Sequence, residues 1–393
     1  MATVVQFGAG AIGRGFLGQV WSSGGREIVF VDVDADLCRR LSEAGEYGLS
    51  LVTNRTEEQR TIRPVRALPT SDREAVLAAL AECEFAAVSI GPHVTETVER
   101  FFVPLALNHS VLRSSPLNVI VAENDPHAAE TLTRLLREGI EAAGGSAESR
   151  DRVVFIQAII GRMVPRPEPG AIDVVAEPYL YLPLEAGRWQ GDFPAIPCMV
   201  QQTDFRKQVE QKLYVHNAGH AALAYLGYRR GHESIHECAA DPDVVAGLRG
   251  FWSEVNVVLA EDGLPEDHLI AFEEELIERF GNRVLGDTVT RVARDPIRKL
   301  HREDRLVYPA LAYVRITGQP PSQITKAIAA ALSFDDPDDP AAVKLQERIR
   351  SVGVRTAFSE AAHFEEPDPE GLVSLVEEAY NALSFHPPEA EGR

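Results

Sequence analysis

Between Lys212 and Cys238 the chain reads KLYVHNAGHAALAYLGYRRGHESIHEC, with two His-x-x-x-His pairs. The second, HESIH, has the H-E-x-x-H pattern that holds zinc when both imidazoles lie one turn apart on a continuous helix. Its surroundings argue for a break instead. Gly231 ends the preceding helical stretch, and Ser234-x-x-Glu237 fits a capping box with Ser234 as N-cap. That predicts His232 before the helix and His236 inside its first turn, on different faces. The first pair, His216 and His220, has no carboxylate ligand near it in sequence, and Lys212 would repel a cation. No metal ligand set is therefore expected.

A different chemistry suits the first pair. At about 100° per residue, with Lys212 at zero, His216, His220 and Asn217 fall near 40°, 80° and 140°. A polar set on one side of an otherwise apolar helix is costly to bury unless it is used. A desolvated lysine near other cations has a lowered pKa and can act as a general base. Lys212 is thus the candidate base for metal-free alcohol oxidation, taking the hydroxyl proton as hydride leaves the carbinol carbon. Asn217 and His220 are the candidate donors to the oxygen on which charge develops. Lysine is scarce here, five among 39 basic residues, which gives each one added interest.

A hydride acceptor is implied by the N-terminus. TVVQF reads as a buried strand, GAGAIG (Gly8 to Gly13) fits G-x-G-x-x-G, RGFLGQVW has helical spacing, and IVFVD is a second strand ending at Asp32. This is the dinucleotide fingerprint in its required context. Gly8 permits a tight turn, Gly10 a close backbone approach to the pyrophosphate, and Gly13 close helix–strand packing. The helix start at Gly10, Ala11, Ile12 and Gly13 offers N–H groups to phosphates. Asp32, 19 residues after Gly13, can accept from the ribose hydroxyls. With Asp34 and Asp36 behind it, Asp32 repels a 2′-phosphate, so NAD is favoured over NADP; Arg26 and Arg39 are the residues able to offset this.

The elements that must carry these groups follow from the rest of the chain. Strand and helix patterns alternate to about residue 194: a helix in REAVLAALAECEF, strands in AAVSIGP, LNVIVAEND, RVVFIQAII and IDVVAEPYLYLPL, and a helix after His127. The strand ends at Gly91 and at Glu123-Asn124 should gather on the C-terminal edge of a sheet, where such folds bind ligands. Beyond QGDFPAIPCMVQQTDF the pattern is almost wholly helical. The expected fold class is α/β: a Rossmann-type dinucleotide-binding domain over 1–194, a mainly helical catalytic domain over 195–385, and a disordered tail over 386–393. A net charge of −20 argues against nucleic acid and anionic membranes as partners. No apolar run is long enough to span a bilayer, no signal peptide opens the chain, and four dispersed cysteines suggest a reduced, cytoplasmic protein.

Taken together, Lys212-x4-Asn217-x2-His220 and the segments QFGAGAIGRGFLG, VFVDVD, AVSIGP, VIVAEN and RVARDPIRKLHREDRLVYPAL resemble the polyol-specific long-chain dehydrogenases. The resemblance is to their mannitol-1-phosphate 5-dehydrogenase branch, and it spans residues 4 to about 335. It implies a two-domain chain, a monomer or small homo-oligomer, using NAD without a catalytic metal. It further implies interconversion of mannitol 1-phosphate and fructose 6-phosphate, with Lys212 as base, Asn217 and His220 polarising the oxygen, and Asn124 facing the substrate. One departure bears on substrate identity: Gly161-Arg162 stands where the family usually has Asp-Arg. The basic run Arg291 to Arg305 is the candidate phosphate site, led by Arg298 and Lys299, with Arg294, Arg302 and Arg305 behind them. If helical from Asp295, it puts Arg298 and Arg302 on one face. The competing readings are a dehydrogenase of an unphosphorylated polyol or sugar acid, a non-catalytic NAD sensor, and a zinc hydrolase.

Overall fold

The computed structural model describes residues 1–91, 94–108 and 115–384; the segment 386–393, expected to be disordered, lies outside them. The chain forms two compact units, Met1–Phe205 and Arg206 onward.

Among its described residues the first unit carries eleven strands: β1 (Thr3–Phe7), β2 (Glu27–Asp32), β3 (Tyr47–Val52), β4 (Glu57–Ile62), β5 (Val65–Pro69), β6 (Phe85–Val88), β7 (Leu117–Val121), β8 (Val153–Gln157), β9 (Val174–Ala176), β10 (Leu182–Glu185) and β11 (Met199–Gln202). Six form one parallel sheet in the order β5-β2-β1-β6-β7-β8. The direction of winding reverses between β1 and β6, which is the switch point where doubly wound folds take their ligands. Side chains pack on both faces of this sheet. Burial on both sides explains why IVFV and FAAV are unbroken apolar runs rather than alternating ones.

Three pieces of this unit differ from the sequence reading. A β3–β4 hairpin extends from the nucleotide fold, and β9 pairs with β3 in parallel. Strand β4, EEQRTI, is exposed except for Ile62, so it carries no apolar alternation to reveal it. Strand β11 lies inside the stretch read as the start of the helical part. It pairs in parallel with β10, from Leu182 opposite Met199 to Glu185 opposite Gln202. That pairing holds the chain in the first unit to Phe205, eleven residues beyond the expected boundary at 194.

The second unit is built from helices, among them Pro242–Glu261, Glu266–Phe280, Val307–Thr317, Ser322–Leu332 and Pro340–Ala362. Ser322–Leu332 is its buried centre, packed against 218–228, 242–261 and 372–384. The N-terminus of this central helix is capped from outside. Glu254, on the neighbouring helix, accepts from the N–H groups of Gln323 at 2.9 Å and Ile324 at 2.8 Å. A carboxylate at a helix N-terminus satisfies otherwise orphaned donors and meets the positive end of the dipole.

The segment carrying Lys212 begins α-helical (Phe205–Glu210), becomes π-helical (Gln211–Asn217), and returns to α (Ala218–Tyr228). Within the π stretch the Ala218 N–H reaches back to the Leu213 carbonyl, five residues earlier. The wheel drawn at 100° per residue therefore fails here. The wider turn brings Lys212 and Asn217, five apart, nearer in register than the 140° that an α-helix would leave between them. Trp252, fully buried, donates its indole N–H to the Val215 carbonyl inside this stretch at 2.9 Å. Gly219 makes that approach possible: a Cβ there would lie 2.5 Å from the indole nitrogen.

Replacing Trp252 by Phe keeps the apolar ring and removes the donor to Val215. The variant should lose about 1 kcal/mol of stability, the usual worth of one neutral hydrogen bond, measured by urea unfolding.

Candidate functional site

In the first unit the glycine loop follows β1 directly. Gly8 has φ +92°, and a Cβ on it would sit 2.4 Å from the Ser89 carbonyl, so the turn and the neighbouring strand end both require glycine. A Cβ on Gly13 would lie 1.9 Å from the Gly8 carbonyl, which is the close helix–strand approach expected of that position. Gly10 is exposed and its missing Cβ points into open space. Internal packing does not explain that glycine; a group approaching the backbone from outside would. Ala11 and Ile12 are half-buried beside it.

Asp32 closes the loop from the end of β2. Its carboxylate accepts from the Ala9 N–H at 2.7 Å and the Asp34 N–H at 3.0 Å. A carboxylate has four acceptor sites, so capacity remains for ribose hydroxyls. The two arginines able to offset its charge are engaged elsewhere. Arg26 binds Glu84 at 3.1 Å, and Arg39 binds Asp36 and Glu43, each at 2.7 Å. Neither arginine is paired with Asp32, whose carboxylate would repel a 2′-phosphate.

Three further residues shape this edge. Glu123, at the end of β7, accepts from the N–H groups of Ile90 at 2.7 Å and Gly91 at 3.0 Å, pinning the turn after β6. Burial pushes its carboxyl pKa up. The Gly91 amide is therefore bonded to Glu123, and what Gly91 offers a ligand is its position on an exposed turn at φ +62°. Asn124 follows on the same edge and is exposed. Arg14 and Arg162 are buried inside the unit. Arg14 donates to the Ala9, Ala171 and Ile172 carbonyls at 2.5–2.7 Å, and Arg162 donates to the Gly15 carbonyl at 2.9 Å and to Gln19 at 2.8 Å. Sequence reasoning placed Glu123 at a strand end and Arg162 beside Gly161 but gave neither a task, and it passed over Arg14, because a lone Glu or Arg carries no motif.

In the second unit the polar groups of 211–220 gather as a cluster. Lys212 is half-buried; desolvation, helped by the nearby Arg305 guanidinium, lowers its pKa to about 8. His216 is buried, and desolvation, with Arg279, Lys212 and His220 around it, holds it well below the usual imidazole range. His220 stacks on Phe280, with ring centroids 4.5 Å apart and planes at 13°. Desolvation lowers its pKa to about 4 despite the Asp287 carboxylate, so the ring is neutral at pH 7 and carries one N–H. Its Nε2 is sealed from solvent, makes no hydrogen bond among the described residues, and lies 3.5 Å from Asp287 Oδ2. Asn217 is half-buried in the same π turn as Lys212.

HESIH forms no helical pair. The helix there is Ile235–Ala240 with Ser234 as N-cap, and Glu237 accepts from the Ser234 N–H at 2.9 Å. His232 lies before the helix, 2.8 Å from Asp241. No group of three or more His, Cys, Asp or Glu side chains among the described residues is placed to hold a metal, and no helix among them is long and apolar enough to cross a membrane.

The basic run departs from the expected geometry. Its helix is only Pro296–Lys299, followed by turns through Arg305. Arg298 and Arg302 therefore do not share a helical face. Leu300 and Leu306 are both fully buried, and the Arg302 N–H bonds to the Ala362 carbonyl at 3.1 Å, which draws the chain out of the helix. Arg298 is half-exposed and bonded to Asp295 at 3.0 Å and Asp304 at 3.4 Å. Arg302 lies 3.5 Å from Glu365. Lys299 is buried with its ammonium against the Arg294 carbonyl; desolvation, then Arg305 and Arg298, lower its pKa to about 7. A lysine so easily neutralised is a weaker phosphate ligand than expected, whereas an arginine keeps its charge. Arg305, ranked low from sequence, is the cation that acts on both Lys212 and Lys299.

An α/β unit with a dinucleotide loop, followed by a helical unit bearing a desolvated lysine, defines a two-domain dehydrogenase architecture. The Mannitol dehydrogenase Rossmann domain matches residues 2–197, and the Mannitol dehydrogenase C-terminal domain matches residues 204–384. The chain belongs to the mannitol dehydrogenase family. It is 34% identical over 382 residues to the mannitol-1-phosphate 5-dehydrogenase of Geobacillus thermodenitrificans, covering 96% of this chain and 98% of that one. A relative of the same name from Pseudarthrobacter chlorophenolicus is 33% identical over 388 residues, covering 97% and 98%. Among solved structures, Pseudomonas fluorescens mannitol 2-dehydrogenase, in a ternary complex with NAD and D-mannitol, shares the fold. Its TM-score is 0.76 at 20% identity, over 98% of this chain and 92% of that one.

At Gly161 a Cβ would lie 2.8 Å from the Tyr179 ring, so Tyr179 occupies the space a larger side chain would need. Gly161→Asp should therefore cost about 1–3 kcal/mol through overpacking. A fall in Tm checks this, and Tyr179→Ala in the same chain should recover part of it.

Proposed function

We propose that the protein is an NAD-dependent polyol-phosphate dehydrogenase that interconverts mannitol 1-phosphate and fructose 6-phosphate without a catalytic metal. The observation that carries this reading is the desolvated Lys212 sharing a π stretch with Asn217, in a chain of the mannitol dehydrogenase family. The substrate is carried over from the relatives named mannitol-1-phosphate 5-dehydrogenase.

The glycine loop and Asp32 fit a dinucleotide: Gly8 and Gly13 close the turn, Gly10 leaves open space, and Asp32 keeps acceptor capacity. Gly8, Gly10, Ala11, Ile12, Gly13, Asp32 and Gly91 are the proposed cofactor residues. Bound NAD supplies the hydride acceptor for oxidation and the donor for reduction. Lys212 Nζ, neutral above about pH 8, takes the hydroxyl proton and returns it in the reverse direction. The Asn217 amide donates to the reacting oxygen, supplying in place of a metal the hydrogen bond that developing charge needs. His220 meets the substrate beside it. Asn124 and Arg298 are the proposed contacts for substrate hydroxyls and phosphate, with Lys299 a secondary one. A dehydrogenase of an unphosphorylated polyol is the second reading, favoured by the absence of the shared Arg298–Arg302 face.

Consumption of NADH, followed by absorbance, with fructose 6-phosphate, fructose and tagaturonate separates these readings. A strong preference for fructose 6-phosphate that shrinks in Arg298→Ala is the expected result. Equal use of fructose would assign the second reading, and no turnover with any of the three would leave neither standing.

The base role has its own signature. Oxidation needs neutral Lys212, so its kcat/KM should rise with pH and level off above about 8, whereas reduction needs the ammonium and should fall across the same range. Lys212→Met should lower kcat about 10²- to 10⁴-fold, the usual worth of general acid–base catalysis, with NADH binding retained. Lys212→Arg should fare nearly as badly, because Arg cannot give up its proton. An Arg variant with near-native turnover would remove the base from Lys212.

A further inference from the structure

The loop before Val289–Ala293 carries a carboxylate that no sequence motif marks. Asp287 follows Gly286, which turns the chain at φ +60°. Its backbone is clamped by the HESIH stretch. The Ile235 N–H donates to the Asp287 carbonyl at 3.0 Å, Ser234 and Thr288 form an isolated bridge, and the Val289 N–H donates to the Glu233 carbonyl at 2.9 Å. The Asp287 side chain is 11% exposed and is gripped by Arg291, whose Nε donates to Oδ1 at 2.5 Å and whose Nη2 donates to Oδ2. An Asp–Arg pair four residues apart is commonly a surface ornament worth little. This one is different because the same Oδ2 lies 3.5 Å from the sealed Nε2 of His220. The ring cannot swing freely, since its face lies flat against Phe280.

We infer that Asp287 is a positioning residue that fixes His220 as the Nε2–H tautomer, leaving Nδ1 as a hydrogen-bond acceptor for a substrate hydroxyl. The argument is one of proton inventory. A carboxylate is acceptor-only, so the nitrogen facing it is stabilised as N–H, and a neutral imidazole then has a bare lone pair on the other nitrogen. The remaining charged or titratable groups around the ring are cationic or neutral: Arg291, Lys299, Arg279 and His216. They oppose a second proton on the ring and offer Nε2 no competing acceptor. His220 is then unsuited to donate to the reacting oxygen, which leaves that task to Asn217. A ring that presents only a lone pair reads an O–H, and a polyol carries one on the carbon next to the reacting centre. His220 becomes a reader of the neighbouring hydroxyl, and Asp287 the residue that sets its polarity.

The inference rests on the proposed function only for the identity of the hydroxyl; the tautomer stands apart from it. Nitrogen-15 spectra of the full-length protein labelled at histidine, with His220 assigned by its loss in His220→Gln, should show the Nε2–H form in the wild type. Asp287→Ala should give mixed tautomers, and Asp287→Asn, whose amide oxygen can still accept, should lie between. Arg291 is half-exposed, so water can solvate it in either variant; NADH titration and thermal melts establish that both remain folded. In turnover, Asp287→Ala should raise KM for the polyol phosphate at least tenfold while kcat changes only a few-fold, the pattern of lost ground-state binding. A wild-type Nδ1–H tautomer, or an unchanged tautomer in Asp287→Ala, would overturn the proposal. So would a fall in kcat at unchanged KM, which would return His220 to the oxyanion. A protein inactive on every polyol offered would sink the functional reading and leave the spectra to decide the tautomer.

Discussion

The second unit turns on the backbone conformation of seven residues. Between Gln211 and Asn217 the helix widens from α to π, and the Val215 carbonyl is met by an indole from another helix. A π turn is rare, occurs mostly as a single bulge within an α-helix, and persists where surrounding packing holds it. Here Trp252 supplies the packing and Gly219 the clearance. Lys212 and Asn217 both lie in that widened turn. The chemistry ascribed to them is thus written less in their own identity than in a tryptophan some forty residues away.

The two units handle buried polarity in different ways. In the first, Arg14 and Arg162 hold their guanidiniums among backbone carbonyls and one amide. In the second, Lys212, His216, His220 and Lys299 are desolvated with cations as neighbours. Arginine keeps its proton in both settings, whereas desolvated lysine and histidine release theirs more readily. The sequence uses arginine almost everywhere, so the lysines that titrate into the working range are conspicuous.

Much of this was legible beforehand. Gly8, Gly13 and Asp32 could be assigned tasks because each answers a local demand, a tight turn, a close approach and an acceptor at a strand end. Their neighbours within about thirty residues are enough to recognise it. The break at HESIH was legible for the same reason, since a capping box is local. What could not be read depends on distant partners. Strand β4 is charged and exposed, and only its pairing with β3 makes it a strand. Strand β11 is recognisable only beside β10. The basic run reads as a helix from its own residues, but burial of Leu300 and Leu306 and the bond from Arg302 to Ala362 end it at Lys299. Asp287 has no motif at all; its importance comes from His220, 67 positions earlier, and from the loop at 233–235.

The buried guanidiniums of the first unit have a consequence for how that unit opens. Arg14 ties the helical stretch Gly13–Ser23 to the carbonyls of Ala171 and Ile172, and Arg162 ties it to those of Pro178 and Tyr179. Lifting either strap alone would strand a charge away from water with its acceptors removed, a state far costlier than fraying an ordinary loop. The glycine loop and these two straps should therefore breathe as one cooperative element, with amide hydrogen exchange at a common, slow rate. A dinucleotide would then meet a surface already rigid, and little of its binding energy would be spent on ordering the loop that receives it.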